Sequence, residues 1–164
     1  MSAPLGYFLT WTTYGTWLPG DQRGWVDKHD AGTGVPYHEP DPIREAAARA
    51  RMSEEPVILD MSARRAVEAA VRETCSFRSW TVRGLSVRSN HVHVVVSAGD
   101  VPPGKVMKVL KSHATRALNL LYPSLGRKHW WTEDGSRQYL NDEDSLFAAI
   151  RYAESQDTSW MKNL

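Results

Sequence analysis

Four segments of the chain have the composition or the alternation of β-strands. The first is Tyr-Phe-Leu-Thr-Trp-Thr-Thr, where aromatic and β-branched residues alternate in part with polar ones. Two further segments are separated only by the short turn Arg88-Ser89-Asn90, which is typical of an antiparallel hairpin. These patterns predict strands over residues 7–13, 80–87, 91–97 and 137–140.

Apolar residues recur at three- and four-residue steps between these strands, which predicts amphipathic helices. Residues 62–77 form one such helix, and a second runs from Pro102-Pro103-Gly104 to Leu121. On the second helix, a projection at about 100° per residue separates an apolar from a polar side. The expected core side is Val106, Leu110, Ala114, Ala117 and Leu121, and the polar side includes Lys105, Lys108, Lys111, Thr115, Arg116 and Asn119.

A last helix is expected after the fourth strand, because Asn141-Asp142-Glu143-Asp144 is typical of a helix start. The order strand, helix, strand, strand, helix, strand is the split-βαβ arrangement. The sequence therefore predicts an α+β, ferredoxin-like βαββαβ fold. Its antiparallel sheet has helices on one face, and the C-terminal helix is additional.

Length and composition suggest one compact domain over residues 1–164, with a loop-rich insertion at about 15–59 that includes a short Ala-rich helix over 42–52. The net charge of +1 neither favours nor excludes a nucleic-acid partner. A single cysteine, Cys75, and no apolar run near the roughly 20 residues of a membrane span predict a cytoplasmic protein without disulfides. Of the seven tryptophans, Trp17, Trp25, Trp130 and Trp131 fit either base stacking or packing beneath loops.

The third strand carries the first candidate chemistry. Side chains alternate along a strand, so His91 and His93 project from one face and Val92, Val94 and Val96 from the other. Two imidazoles directed at one point form a possible metal pair. His-x-His alone is equally compatible with two ordinary histidines.

The last helix carries the second feature. Its apolar stripe is Leu146, Ala149, Ile150 and Ala153, while Tyr152 and Gln156 project together from an adjacent face one turn apart. A phenol and a carboxamide on one helix face have the ordinary interpretation of a half-buried tyrosine and a solvated glutamine. Beside a histidine pair, they become a candidate nucleophile and a candidate metal ligand.

His91-Val92-His93, preceded by Ser89-Asn90, resembles the His-hydrophobic-His motif of the HUH endonucleases. Tyr152-Ala153-Glu154-Ser155-Gln156 is similar to the nucleophile helix of their single-tyrosine transposases, which include insertion-sequence and REP-associated enzymes. The resemblance implies a bacterial, nucleoid-associated enzyme that nicks and rejoins single-stranded or hairpin DNA through a 5′-phosphotyrosine on Tyr152. REP-associated members often have Asn where this chain has Gln156, so the subgroup stays open.

Two neutral imidazoles and an amide oxygen favour Mg²⁺ or Mn²⁺ over structural zinc, because they leave positions open for phosphate and water. Such a metal would polarise a phosphate that otherwise repels a phenolate, whose pKa is ordinarily about 10. We expect DNA to run along Lys105, Lys108, Lys111 and Arg116 on the second helix. An ordinary solvated helix face is the alternative for these four residues.

Two other functions remain open at this stage. One is a domesticated hairpin-binding protein that has lost transposition. The other is an unrelated metalloenzyme, such as a phosphoesterase, in which the Tyr152 and Gln156 spacing is a coincidence. The sequence also leaves open the recognised DNA sequence, and whether the chain acts as a monomer or a homodimer with the tyrosine supplied by the partner.

Overall fold

The structure is a computed structural model that describes residues 3–25 and 37–155. Helices and strands follow the predicted order, and their bounds lie within about two residues of the sequence-based expectations. In chain order they are β1 (Gly6–Thr12), α1 (Pro42–Ala50), α2 (Met61–Phe77), β2 (Thr81–Val87), β3 (His91–Ser97), α3 (Pro103–Leu121), a short 3₁₀ turn (Pro123–Leu125), β4 (Ser136–Leu140) and α4 (Glu143–Glu154).

The four strands form one antiparallel sheet in the order β2-β3-β1-β4. This order confirms the ferredoxin-like prediction, with β3 and β1 in the centre and β4 at an edge. Thr10 of β1 pairs with His93 of β3 on one side and with Ser136 of β4 on the other. Ser86 of β2 also pairs with His93, so the row Ser86, His93, Thr10 and Ser136 crosses the sheet on one face.

Helices α2 and α3 cover the opposite face and enclose the main core. Val92, Val94 and Val96 are buried there against both helices, and Cys75 of α2 is buried with them. On α3 the expected core stripe is partly wrong. Met107 and Leu118 are buried, whereas Ala117 is only partly buried and Leu121 is exposed. Over 19 residues the buried stripe advances by four-residue steps, so its last member is Leu118.

Helix α4 packs on the face that carries the histidines. Its small and apolar residues Leu146, Ala149 and Ala153 contact Val95 and Leu140 of the sheet. Gly84 on β2 faces the helix, and a Cβ at this position would lie in ordinary van der Waals contact, 3.7 Å from Ala153 and Ile150. The Asp142 side chain caps α4 by accepting the backbone N–H of Ser145 at 2.7 Å, as the acidic start predicted.

The segment before β4 is fastened to α3 by side chains on the helix's polar side. Lys111 Nζ donates to the carbonyls of Thr132 and Asp134, both at 2.8 Å. The indole N–H groups of Trp130 and Trp131 donate to Asn119 and Thr115 of α3, at 2.8 and 3.0 Å. Trp130, Trp131 and also Trp25 are buried, so these three tryptophans are packing residues.

The described part of the insertion contains a buried ion pair between Asp21 and Arg23. Asp21 is buried and accepts two hydrogen bonds from the guanidinium of Arg23, which lies over the Trp17 ring at 4.2 Å. The Trp17 indole N–H donates to the Gly24 carbonyl at 2.7 Å. Within residues 3–25 and 37–155, no helix is both long and apolar enough to span a membrane.

Candidate active site

His91 and His93 lie side by side on the α4 face of the sheet, as strand alternation predicted. Their ring centroids are 4.5 Å apart and the rings are nearly perpendicular. His91 is 3% exposed, and His93 is partly buried. Because β3 is hydrogen-bonded to a strand on each side, the backbone beneath both imidazoles is held by the sheet.

Each imidazole uses Nδ1 for a hydrogen bond within the protein. Nδ1 of His91 lies 3.0 Å from Oδ1 of Asn90, an oxygen that can only accept, so the His91 proton resides on Nδ1. Nδ1 of His93 lies 2.7 Å from the hydroxyl of Thr10. When the Thr10 hydroxyl accepts a hydrogen bond from Nδ1 of His93, both rings carry their proton on Nδ1 and present the lone pair of Nε2. Contacts of this kind commonly fix the orientation of metal-ligating histidines.

The surroundings of both rings favour neutral imidazoles. Burial, assisted by the neighbouring His93 and Arg88, lowers the pKa of His91 from 6.5 to about 3. Burial and the charge of Arg88 lower the pKa of His93 to about 4. At neutral pH the two rings are therefore lone-pair donors, which is the form that binds a metal ion.

Tyr152 of α4 lies directly beside this pair. Its ring centroid is 5.5 Å from that of His93 and 5.8 Å from that of Phe8, and Phe8 itself stacks on His93 at 5.4 Å. The Tyr152 side chain is 47% exposed. A half-exposed phenol next to two imidazoles on a single chain is the arrangement expected for a nucleophile beside a metal.

Gln156, the expected third ligand, lies outside the described residues. Across residues 3–25 and 37–155 no three His, Cys, Asp or Glu side chains cluster as a metal site. The donors that are described, two neutral imidazoles with Nε2 directed away from their hydrogen bonds, fit a divalent cation that obtains further ligands from an amide, water or phosphate.

Arg88 adds a positive charge that the sequence analysis did not identify. Its Nε donates to the Ser86 hydroxyl at 2.6 Å, and Ser86 pairs with His93 across the sheet. The guanidinium is therefore held on the site face, close enough to both histidines to lower their pKa. Within the described part of the chain, no carboxylate forms an ion pair with Arg88. The hairpin turn gave no signal for this role, because an arginine in a turn is ordinarily solvated.

The expected DNA-binding residues occupy the other side of the molecule. Lys105, Lys108 and Arg116 are exposed on α3, which packs on the face of the sheet opposite Tyr152. Lys111 differs from them. Burial lowers its pKa to about 8, and its ammonium donates to two backbone carbonyls in the segment before β4. The structure thus brings together His91, His93 and Tyr152 but separates them from the four basic residues.

An open groove of about 880 Å³ extends from Tyr152 toward the edge strand β4. Phe8 and Thr10 of β1 form part of its floor, with Ser136 and Gln138 of β4 alongside. Tyr37 and the residues around the start of α4 line the remainder. Sequence patterns did not single out this groove, because its residues come from four separated parts of the chain.

Comparison with known proteins places these features in a family context. A family model described as Transposase IS200 like matches residues 51–156, which include β3 and α4. Comparison with curated proteins gives no match for this sequence. Among solved structures, the chain is similar to a REP-associated tyrosine transposase bound to a REP hairpin. That similarity has a TM-score of 0.57 and 12% identity, over 98% of this chain and 69% of the other.

A proposed transposase from Deinococcus radiodurans is also similar, with a TM-score of 0.45 and 18% identity over 93% of this chain and 91% of the other. At 12% identity, the similarity to the REP-associated transposase concerns the fold alone. The family match rests on the sequence itself and spans more than half of the chain.

Proposed function

Because the chain belongs to the IS200-like transposase family, we propose that it nicks single-stranded DNA with Tyr152 and rejoins the strand through a 5′-phosphotyrosine. The observation that carries this proposal is the position of the Tyr152 ring, 5.5 Å from His93 of the same chain. The proposed unit is a single domain with its active site built in cis, since one chain supplies both the tyrosine and the histidines.

In the proposed reaction the Tyr152 hydroxyl attacks the scissile phosphorus and the bond to the 3′ oxygen breaks. The phenol loses one proton and the departing 3′ oxygen gains one, so the step is neutral overall. The phosphotyrosine conserves the energy of the phosphodiester, which allows a second 3′ hydroxyl to attack it and join the strands without ATP. Tyr152 is half exposed, so an incoming strand has access to that linkage.

His91, His93 and Gln156 are the proposed ligands of Mg²⁺ or Mn²⁺, which would polarise the phosphate and offset its charge. Asn90 and Thr10 orient the two imidazoles. Arg88 would contribute a second positive charge from the β2–β3 turn, in reach of the same phosphate. A guanidinium is suited to this role because it offers several N–H donors in a fixed plane and one of them, Nε, already fixes its position on Ser86.

Hairpin DNA is the proposed substrate. The REP-bound relative supports this choice, and the exposed Lys105, Lys108 and Arg116 supply a basic helix face for phosphates. This face lies across the sheet from Tyr152. DNA held there would reach the tyrosine by passing an edge of the sheet, with the stem on one side and the cleaved strand on the other.

The decisive experiment is to incubate the protein with end-labelled hairpin DNA carrying single-stranded flanks, with Mn²⁺, and to resolve covalent adducts on a denaturing gel. The wild type should form an adduct and Tyr152→Phe should form none, while both bind the hairpin with similar Kd. Tyr139→Phe is the matched control, because Tyr139 is 51% exposed and contacts Tyr7 rather than His93. An adduct on Tyr152→Phe would refute the assignment.

Two further outcomes separate the alternatives. Tight hairpin binding by the wild type without any adduct would support a domesticated DNA-binding protein. Mixing Tyr152→Phe with His91→Ala should leave activity absent if the site acts in cis. Recovered activity in the mixture would instead show that one subunit delivers its tyrosine to another.

A further inference from the structure

The groove beside Tyr152 has an unusual chemical lining for a protein that handles a polyanion. It is walled by rings and neutral polar groups, including Phe8, Tyr37, Gln138 and Asn141. Among the described residues that line it there is no Asp, Glu, Lys or Arg. None of these side chains could pair with the negative charge of a phosphodiester. A nucleobase carries no charge and needs no such partner.

The two carboxamides in this lining make no hydrogen bond to the described part of the protein. Gln138 lies on the site face of β4, since it pairs with Phe8, and Asn141 follows β4 directly. Both residues are exposed, and no hydrogen bond among residues 3–25 and 37–155 involves either side-chain amide. A carboxamide presents a donor and an acceptor side by side, which matches the edge of a nucleobase.

The rings supply the second element of a base site. Phe8 forms part of the floor next to Tyr152, and Tyr37, which is 59% exposed, stands at the wall. Proteins that bind unpaired bases commonly stack them on such rings and recognise their edges with polar side chains. The volume of about 880 Å³ lies within the range of about 300–1,000 Å³ that is usual for small-ligand sites.

The position of the groove specifies which base it would receive. One end is Tyr152 with His93, and the other opens at the edge strand β4. We propose that this groove binds the unpaired base adjacent to the phosphodiester that Tyr152 cleaves, and that Gln138 and Asn141 select its identity. The inference rests on the proposed nicking function for its substrate class, and it assigns the cleavage-site specificity to β4 and the start of α4.

The test uses Tyr152→Phe as the parent, so that binding is measured without cleavage. Hairpin oligonucleotides carry each of the four bases at successive positions of the single-stranded flank, and Kd is measured by fluorescence anisotropy at fixed salt and Mn²⁺. The parent should prefer one base at one position by roughly tenfold. Adding Gln138→Ala or Asn141→Ala should reduce that preference to within about twofold, while binding of the disfavoured bases stays unchanged.

Gln22→Ala is the matched control, because Gln22 is an exposed carboxamide that does not line the groove. It should keep the full preference. Loss of preference in either groove variant supports the proposal. Equal binding of all bases by the parent, or a preference that survives in both groove variants, overturns it. Failure of the wild type to form an adduct would refute nicking, whereas these binding measurements would still decide whether the groove selects a base.

Discussion

Replacing Thr10 by Val tests whether the histidine pair holds a metal ion. The substitution keeps the shape and β-branching of the side chain but removes the hydroxyl that lies 2.7 Å from Nδ1 of His93. His93 would then be free to choose either tautomer and would lose one restraint on its ring. The backbone should change little, because Thr10 lies in a central strand with partners on both sides.

The expected loss of metal affinity depends on which contacts of the two histidines remain after the substitution. Loss of a hydrogen bond to a metal-ligating histidine typically lowers metal affinity by about 10- to 100-fold. Here His91 keeps its bond to Asn90, and His93 keeps its stacking contact with Phe8 at 5.4 Å. We therefore expect the lower end, about a tenfold rise in the Kd for Mn²⁺, or roughly 1.4 kcal/mol.

The assay is a titration with Mn²⁺ followed by electron paramagnetic resonance of the free ion, without DNA, so that catalysis does not enter. Thr12→Val is a closely matched control. Thr12 lies on the same strand next to His91, but its hydroxyl donates to Thr132 and not to an imidazole. Equal Mn²⁺ affinity in Thr10→Val and the wild type, or an equal loss in Thr12→Val, would refute the reasoning.

Three more predictions concern the charged residues. Arg88→Met should lower the single-turnover cleavage rate at saturating DNA by about 10²-fold, with little change in the Kd for DNA. Weaker DNA binding with an unchanged cleavage rate would contradict this. Lys108→Ala combined with Arg116→Ala should reduce the slope of log Kd against log salt concentration by about 0.7 for each lost single-strand contact. The cleavage rate at saturating DNA should not change. An unchanged slope would mean that this helix face is solvated and does not bind DNA. Lys111→Met should destabilise the fold by roughly 1–3 kcal/mol in urea unfolding, because two backbone carbonyls lose a donor. Since burial lowers the pKa of Lys111 from 10.5 to about 8, the unfolded chain binds this proton more tightly, and wild-type stability relative to Lys111→Met should rise between pH 8 and 10.5.

The sequence predicted the order of helices and strands along the chain and the histidine pair, because both follow from local periodicity. Alternation alone placed His91 and His93 on one face and Val92, Val94 and Val96 on the other, and the structure confirms this arrangement. Helical spacing likewise separated Tyr152 from the apolar stripe of α4. These inferences needed only the geometry of one element at a time.

Periodicity gave a wrong prediction for polar residues of a helix that another segment of the chain covers. Lys111, Thr115 and Asn119 have the spacing of a solvated helix face, yet all three bind the segment before β4. The role of Arg88 was equally invisible, since it depends on Ser86 and on the histidines of the neighbouring strand. Such contacts join residues that are distant in sequence or lie across a turn, and no single-element pattern encodes them.

The two parts of the site are held in different ways, and this difference bears on strand transfer. The histidines lie on a central strand with hydrogen-bonded neighbours on both sides, whereas Tyr152 lies on a helix attached through Leu146, Ala149 and Ala153. Apolar packing beneath α4 therefore positions Tyr152, the proposed nucleophile, independently of the polar groups that would bind phosphate. The tyrosine is left half exposed above an open groove. A buried phosphotyrosine would be shielded from a second 3′ hydroxyl after the first cut. The exposed position of Tyr152 suits the proposed reaction, in which that hydroxyl attacks the phosphorus and the tyrosine oxygen leaves.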